Sequence, residues 1–499
     1  MRSDHSRLTA LLLGGAFLLS STSCAAEVGS AASVYTFDSQ PFEQEAVEAK
    51  ADPETPEEPA QTTAVVTTTT VTTTTTTPVL KGDIYDTNGN LLMYGTVGED
   101  GSFDRVSAEG SRVAFANILN EASEGLDTAL EETLTTLNPT PVEGVEKSGQ
   151  SVQLTLDANK QNAVYDYMAS MGIVGAAVVM RSDGSLMAEV SYPSYDPELN
   201  KADPTYADSL PWGAFGNRCF QNATPGSTFK IMSEVISDYH GIYSLYDDGE
   251  WTDGGATIVN WDHENTWNYP IPERSLYSAF VNSSNIYFAK VFDQIGTDAA
   301  LSDLENFFHF TSRIDCDFGP IDNNIEIYCD DDLRRSAFGQ SYVRTCPVYL
   351  AALGREAVFG DMVKPFVVQN IMDTNSFGTV IAPGSPSGEV IASIPENCRQ
   401  GILDGMSGVA GNLGVYVPGG YTLYAKTGTA ETGAGDFLYI VGCAKNDADS
   451  GSFDNSAGYG GYGGSYIIVM QIQNPGDFDF DFASESASLY QGLVNVVLG

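Results

Sequence analysis

The strand-like runs of this chain stand far apart, and that spacing limits what the chain can fold into. Gly175–Met180 (GAAVVM) and Leu186–Pro193 (LMAEVSYP) flank the turn Ser182-Asp183-Gly184-Ser185 and read as a hairpin. Just before it, SVQLTLD (151–157) alternates like a strand and ANKQNAVYDYMASMG (158–172) has a helical spacing. A mixed, mainly helical middle follows. Near the other end, GYTLYAKTGTAE (420–431), DFLYIVGCAK (436–445) and SYIIVMQIQN (465–474) read as three further strands, and Ser484–Leu498 as a closing helix. None of these short apolar runs can bury itself alone. Together they predict an α/β chain of the α+β type, with one discontinuous sheet covered by helices.

The sequence before residue 149 has another character. Arg2 and Arg7 precede an apolar run, Leu8 to Leu19, and small residues follow to Ala26. That order marks an export signal over 1–26. Cys24 stands where a lipoprotein cysteine would take its lipid, although Ser21 occupies the place usual for leucine. Residues 8–26 carry no charge and approach the roughly 20 residues that cross a bilayer as helix. A lipid anchor at Cys24, a cleaved signal and an uncleaved anchor all remain open. In each case the bulk of the chain lies outside the cytoplasm. Residues 27–80 include an acidic, proline-containing stretch and the tract TTAVVTTTTVTTTTTTP (62–78). It has no periodic apolar face and reads as a disordered tether, with a reach of about 40 Å for a flexible coil of about 50 residues. Folded sequence is expected from Lys81. KGDIYDTNGNLL (81–92) reads as two strands about the turn Asn88-Gly89, and a helix is expected over Arg112 to Leu119. Residues 81–148 form a small N-terminal segment, and 149–499 the main domain.

Charge narrows the function. Sixty-six acidic residues against 23 basic ones give a net charge of −43. A nucleic-acid partner is excluded, because its phosphates need a basic face. The cysteines other than Cys24 (Cys219, Cys316, Cys329, Cys346, Cys398 and Cys443) are read as small buried thiols, although export permits disulfides and Cys316 and Cys329 are the nearest pair. No C-x-x-C or paired histidine spacing occurs, so no metal is expected.

Three short patterns carry chemistry. In Thr224-Pro225-Gly226-Ser227-Thr228-Phe229-Lys230, Pro and Gly break the chain before a helix through Ile231, Val235 and Ile236. Ser227 then stands at a helix N-terminus with Lys230 one turn on, on the same face. A serine hydroxyl is a weak nucleophile until a base takes its proton, and a lysine of lowered pKa can be that base. The helix N-terminus offers N–H groups to a developing oxyanion. Downstream, Ser283 and Asn285 in Val281-Asn282-Ser283-Ser284-Asn285 form a polar pair suited to passing a proton and holding an amide. Further on, Ala425-Lys426-Thr427-Gly428-Thr429 falls on a predicted strand. Lys426 gives positive charge, Thr427 and Thr429 give hydroxyl donors, and Gly428 lets another backbone come close. Each pattern alone has a bland reading: a capping serine with a solvated lysine, a helix cap, a strand with a glycine kink. Their occurrence in this order is the set found in penicillin-binding proteins and serine β-lactamases.

The flanking segments are similar to one branch of that superfamily. KGDIYDTNGNLL resembles the N-terminal strand motif of class B penicillin-binding proteins, with Lys81 and Thr87 where arginines are usual. GQSVQLTLDANKQ, GAAVVMRSDGSLMAEVSYPSYDP, NRCFQNATPGSTFK, SSNIYFAK, SAFGQSYVRTCPVYLAAL and KTGTAET also resemble family segments. Residues 81–148 are shorter than the usual pedestal, and DFLYI (436–440) lacks the usual His-Ala-Trp-Phe-type segment.

The resemblance implies a penicillin-binding transpeptidase fold, an antiparallel five-stranded sheet covered by helices with an all-helical subdomain. It implies a cofactor-free peptidoglycan D,D-transpeptidase acting on D-Ala-D-Ala stem peptides with an amine acceptor, and acylated by β-lactams. Ser227 would be the nucleophile and Lys230 its base. Ser283 and Asn285 would relay the leaving-group proton and hold the donor peptide, and Lys426 would support that network electrostatically. Thr427, Gly428 and Thr429 would line the carboxylate site, and the N–H groups of Ser227 and Thr429 would form the oxyanion hole. Cell-wall synthesis proteins are implied as partners, and the N-terminal residues predict a place at the extracytoplasmic face of the cell membrane, or secretion if the signal is cleaved. A D,D-carboxypeptidase and a serine β-lactamase are the competing enzymes. The latter lacks E-x-x-L-N here, since Leu304-Glu305-Asn306 has other spacing. A non-catalytic β-lactam sensor or cell-wall scaffold is the competitor of another class. Gly458–Gly463 matches G-x-G-x-x-G but opens no helix, so it reads as a loop. Asp477, Asp479 and Asp481 read as a solvated acidic loop.

Overall fold

The computed structural model describes residues 78–499 except 120–124, 141, 146, 377, 433–435, 452–463 and 474–483. The export signal with Cys24, the tether up to residue 77, the Gly458–Gly463 loop and the Asp477–Asp481 loop lie outside the described residues. No described helix is long and apolar enough to cross a membrane.

The distant strands meet in one five-stranded sheet. Its order is Tyr421–Ala430, Phe437–Asn446, Tyr466–Gln473, Gly175–Arg181 and Leu186–Tyr192, every pair antiparallel. The side chains alternate between two cores, as a period of two requires. Ala177, Val179, Ile468 and Met470 face Val164 and Met168 of the helix Ala158–Met171, and Tyr490 and Val494 of the helix Ser484–Leu498. Ala176, Val178, Ile467 and Val469 face Tyr349 and Leu353 of the helix Pro347–Phe359. Both faces are covered, so the strands read as apolar runs rather than clean alternations. Asp157 caps the helix Ala158–Met171 by accepting from the N–H groups of Asn159 and Lys160, and Gly172 ends it at φ 66°.

The helical region between the hairpin and the last strands contains Lys230–Tyr239, Leu276–Val281, Asn285–Ile295, Thr297–Phe308 and Asp330–Ser336. It is not purely helical. Ser244–Asp247 pairs with Ile271–Ser275, Glu250–Asp253 with Ala256–Val259, and Ile314–Cys316 with Gly319–Ile321. These ribbons are mostly exposed, so no hydrophobic periodicity announced them.

A second sheet has six strands in the order Val380–Pro383, Val368–Met372, Ser151–Leu154, Ile84–Tyr85, Leu91–Val97 and Phe103–Ser107. Ile84–Tyr85 runs parallel to Ser151–Leu154. The expected boundary at 148/149 therefore falls inside one sheet. Buried Asp86 joins the two sides. Its carboxylate accepts from the backbone N–H groups of Asn88, Asn90 and Ala158 and from the Asn90 amide, at 2.7–3.0 Å. Asp86→Ala is expected to destabilise the fold by about 2–3 kcal/mol, since the buried Ala158 N–H loses its acceptor. A denaturant midpoint unchanged from wild type would contradict this. The six described cysteines are free thiols, four of them buried.

Candidate active site

The helical region and the five-stranded sheet bring all three sequence patterns together. Gly226–Phe229 forms a 3₁₀ turn that runs into the helix Lys230–Tyr239. Ser227 is half-buried on that turn, and Lys230 opens the helix, fully buried. Lys230 Nζ lies 2.9 Å from Ser227 Oγ. It also lies 2.7 Å from the Ser283 carbonyl oxygen, 2.7 Å from Asn285 Oδ1 and 3.2 Å from Ser283 Oγ. The carbonyl and Oδ1 are pure acceptors. A neutral amine has two N–H groups, and these two acceptors take both. Its lone pair is left for a hydroxyl proton, and Ser227 Oγ is in reach.

Lys426 approaches from the strand Tyr421–Ala430. Its Nζ donates to Ser283 Oγ at 3.1 Å and to the Thr427 carbonyl at 2.8 Å. Ser283 thus bridges the two lysines, with its backbone at φ 57°, a strained value for a non-glycine residue. Apolar rings wall the amines. Phe338 lies 5.8 Å from Lys230 Nζ and Phe280 5.5 Å from Lys426 Nζ, ring centroid to nitrogen.

That burial sets the protonation. Lys230 is held well below the ordinary 10.5, first by burial and then by the Lys426 charge, against the opposite pull of Asp247. Burial brings Lys426 down to about 7. Two lysines that share a hydroxyl and titrate low are suited to accepting and passing a proton near neutral pH.

The strand of Lys426 is the edge of its sheet. Thr427 is half-buried, Gly428 buried and Thr429 exposed. Gly428 meets the nucleophile turn so closely that a Cβ there would stand 2.7 Å from Thr228 N. Gly226, at φ +55°, would place a Cβ 2.2 Å from the Thr429 carbonyl oxygen. These contacts bring the backbone at Ser227 beside that at Thr429. Every candidate site residue in the described chain falls in this one place.

The patterns did not reveal the support behind them. Buried Asp247 and Asn260, from the segment 244–275, hold this loop: Asp247 accepts from the Ser284 hydroxyl and Asn260 from the Asn285 backbone N–H. Exposed Trp261 donates its indole N–H to the Asn282 carbonyl, beside Ser283. Single residues outside any periodic run leave no pattern to read.

A half-buried serine beside a fully buried lysine, facing an edge strand, has the geometry that acyl transfer needs. The model of the penicillin binding protein transpeptidase domain matches residues 175–478, and the chain belongs to that family. It is 28% identical over 360 residues to penicillin-binding protein 3 of Bacillus subtilis (strain 168), over 66% of this chain and 49% of the relative. It is 26% identical over 325 residues to the peptidoglycan D,D-transpeptidase PbpA of Mycobacterium tuberculosis (strain ATCC 25618 / H37Rv), over 58% of this chain and 62% of the relative. The matches thus span about half to two-thirds of these relatives. The fold is shared with penicillin-binding protein A from M. tuberculosis in its imipenem acyl-enzyme complex, at TM-score 0.67 and 19% identity, covering 84% of this chain and 99% of that one. The D,D-transpeptidase domain of a peptidoglycan glycosyltransferase from Eggerthella lenta gives TM-score 0.65 at 21% identity, covering 84% and 98%.

Proposed function

We propose that this chain is a class B peptidoglycan D,D-transpeptidase. The observation that carries the reading is Lys230 Nζ, buried, low in pKa, and 2.9 Å from Ser227 Oγ with its N–H groups otherwise engaged. The Ser227 hydroxyl proton passes to Lys230 as Oγ attacks the carbonyl of the penultimate D-Ala of a stem peptide. The oxyanion is held by the N–H groups of Ser227 and Thr429. The proton returns through Ser283 to the departing D-Ala nitrogen, the C–N bond breaks, and an ester on Ser227 remains. Lys426 lowers the cost of charge in this relay. Thr427 and Thr429 hold the terminal carboxylate, and Asn285 holds the donor amide. The donor lies along the edge strand as an added strand. An amine from a neighbouring stem then attacks the ester and gives up its proton, and Ser227 is restored. A β-lactam follows the first half only. The N-terminal run, with or without lipid at Cys24, holds the domain at the outer membrane face, where cell-wall synthesis proteins can meet it.

Incubation with a fluorescent penicillin is expected to leave a stable adduct, located on the Ser227 peptide by mass spectrometry. No adduct would sink the reading, and an adduct hydrolysed within seconds would favour a β-lactamase. With D-Ala-D-Ala stem peptides, a cross-linked product that requires an acceptor amine is expected. Hydrolysis alone would mark a carboxypeptidase.

A further inference from the structure

The Ser283–Asn285 loop does not hold itself. Asn260 Oδ1 accepts from the backbone N–H groups of Asn285 at 2.7 Å and Ile286 at 3.2 Å. These are the first two residues of the helix Asn285–Ile295, whose N–H groups have no partner within the helix. Val259, the residue before Asn260, accepts from Asn285 Nδ2 at 2.8 Å. One short stretch thus pins both the backbone and the side chain of Asn285. The far end of that side chain, Oδ1, receives Lys230 Nζ.

Asn260 is itself aimed by Asp247. Its Nδ2 donates to both Asp247 oxygens, at 2.9 and 3.0 Å, and to the Tyr269 hydroxyl at 3.1 Å. With the amide nitrogen so occupied, Oδ1 must face the helix. Asp247 also accepts from the Ser284 hydroxyl at 2.7 Å and the Gly249 N–H at 3.0 Å, and pairs with buried Arg274 at 2.6 Å. Asp247 and Asn260 are both fully buried.

We propose that Asp247 and Asn260 are positioning residues of the acylation centre, which through Asn285 fix where the Lys230 amine stands relative to Ser227. The inference rests on the acyl-transfer reading above. A plain structural role would hold the helix end without reaching the reacting atoms. Here the chain of contacts runs from Asp247 through Asn260 and Asn285 to Lys230 Nζ without a gap. The groups that face Lys230 electrostatically are Lys426 from the sheet and Asp247 from the ribbon. Arg274 stands against Asp247, and Asp262 accepts from the Tyr269 hydroxyl. The Asp247 charge favours a proton on Lys230. Its removal, with Arg274 left in place, lowers the pH at which the amine becomes neutral.

Two variants test this by β-lactam acylation kinetics across pH, with circular dichroism to follow folding. Asn260→Ala is expected to slow the acylation step on the order of 10²-fold, with the affinity of the non-covalent complex retained. Asp247→Asn keeps the shape and is expected to move the acid limb of the acylation profile to lower pH. The proposal is overturned if both variants acylate at the wild-type rate with the wild-type limb. It is also overturned if acylation falls only in proportion to the folded fraction. Should Asn260→Ala not fold, the limb of Asp247→Asn decides. A wild type that forms no adduct overturns this proposal and the transpeptidase reading together, whereas a normal wild-type adduct with unaltered variants overturns this one alone.

Discussion

Lys230→Met is expected to slow acylation by penicillin by a factor on the order of 10²–10⁴, while the protein folds at least as stably as wild type. The rate effect follows from losing the lone pair beside Ser227 Oγ, since a positioned general base is worth roughly 10²–10⁴ in rate. The stability effect follows from burial. Lys230 is fully buried against Phe338, and its amine is forced toward neutrality. Methionine fills similar volume without a polar end to desolvate. Ser283 and Asn285 lose a donor, which moderates the gain. A time course of fluorescent penicillin labelling, beside a thermal melt, measures both. Wild-type labelling would remove Lys230 from the role of base. Loss of labelling together with loss of the melt would reduce it to a structural residue.

The same burial fixes a pH dependence. The base must be neutral, and its folded pKa lies well below 10.5, so acylation by wild type should rise with pH along a limb far below the ordinary lysine range. Stability carries the matching sign. Lys426 sits at about 7 in the fold, against 10.5 when unfolded. Between those values the unfolded chain binds the extra proton. This group therefore favours the fold more as pH rises from about 7 to 10.5, and its penalty is complete below 7. Lys426→Met should flatten that part of the stability profile, and an unchanged slope would contradict the assignment.

Gly226→Ala is expected to lose about 2–4 kcal/mol of stability and most of the acylation rate. Two costs coincide. The residue holds φ +55°, where a Cβ is strained by roughly 1–2 kcal/mol. That Cβ would also stand 2.2 Å from the Thr429 carbonyl oxygen, a backbone atom of a paired strand that cannot rotate away. The turn and the strand must separate. Ser227 follows Gly226, and Thr429 carries the second proposed oxyanion donor, so a shift on the order of 1 Å can cost 10²-fold. Gly411→Ala is the control. It lies in the helix Arg399–Leu413 with open space at its Cβ, and should be neutral or stabilising. Equal behaviour of the two variants would refute the argument.

What could be read from the chain was the part that repeats or clusters. The hairpin at 175–192, the three late strands and the helices Arg112–Leu119 and Ser484–Leu498 announced themselves through apolar spacing. Ser227, Lys230, Ser283, Asn285 and Lys426 were legible because short patterns bear them in a fixed order. The six-stranded sheet was not. Several of its strands have four residues or fewer, and its pairs join residues 84, 152 and 371. No local period can encode such pairing. Asp247, Asn260 and Arg274 escaped for a related reason. They meet through a polar ribbon, and nothing in their spacing marks a buried carboxylate, its amide and its counter-ion.

The middle strand of the five-stranded sheet is also the last of the five to be synthesised. Until Tyr466–Gln473 exists, Gly175–Arg181 has a partner on one side only, and its side chains up to Met180 are destined for full burial. A nascent chain must therefore carry an open apolar edge through the whole of residues 193–465, a hazard for association between growing copies. The strand that carries Lys426, Tyr421–Ala430, waits on the same event, because Phe437–Asn446 joins it to the sheet only through that late strand. Competence to react should thus appear in one step near the end of folding. A chain cut short before residue 466 should be a substrate for chaperones and proteases, and should carry no acyl group.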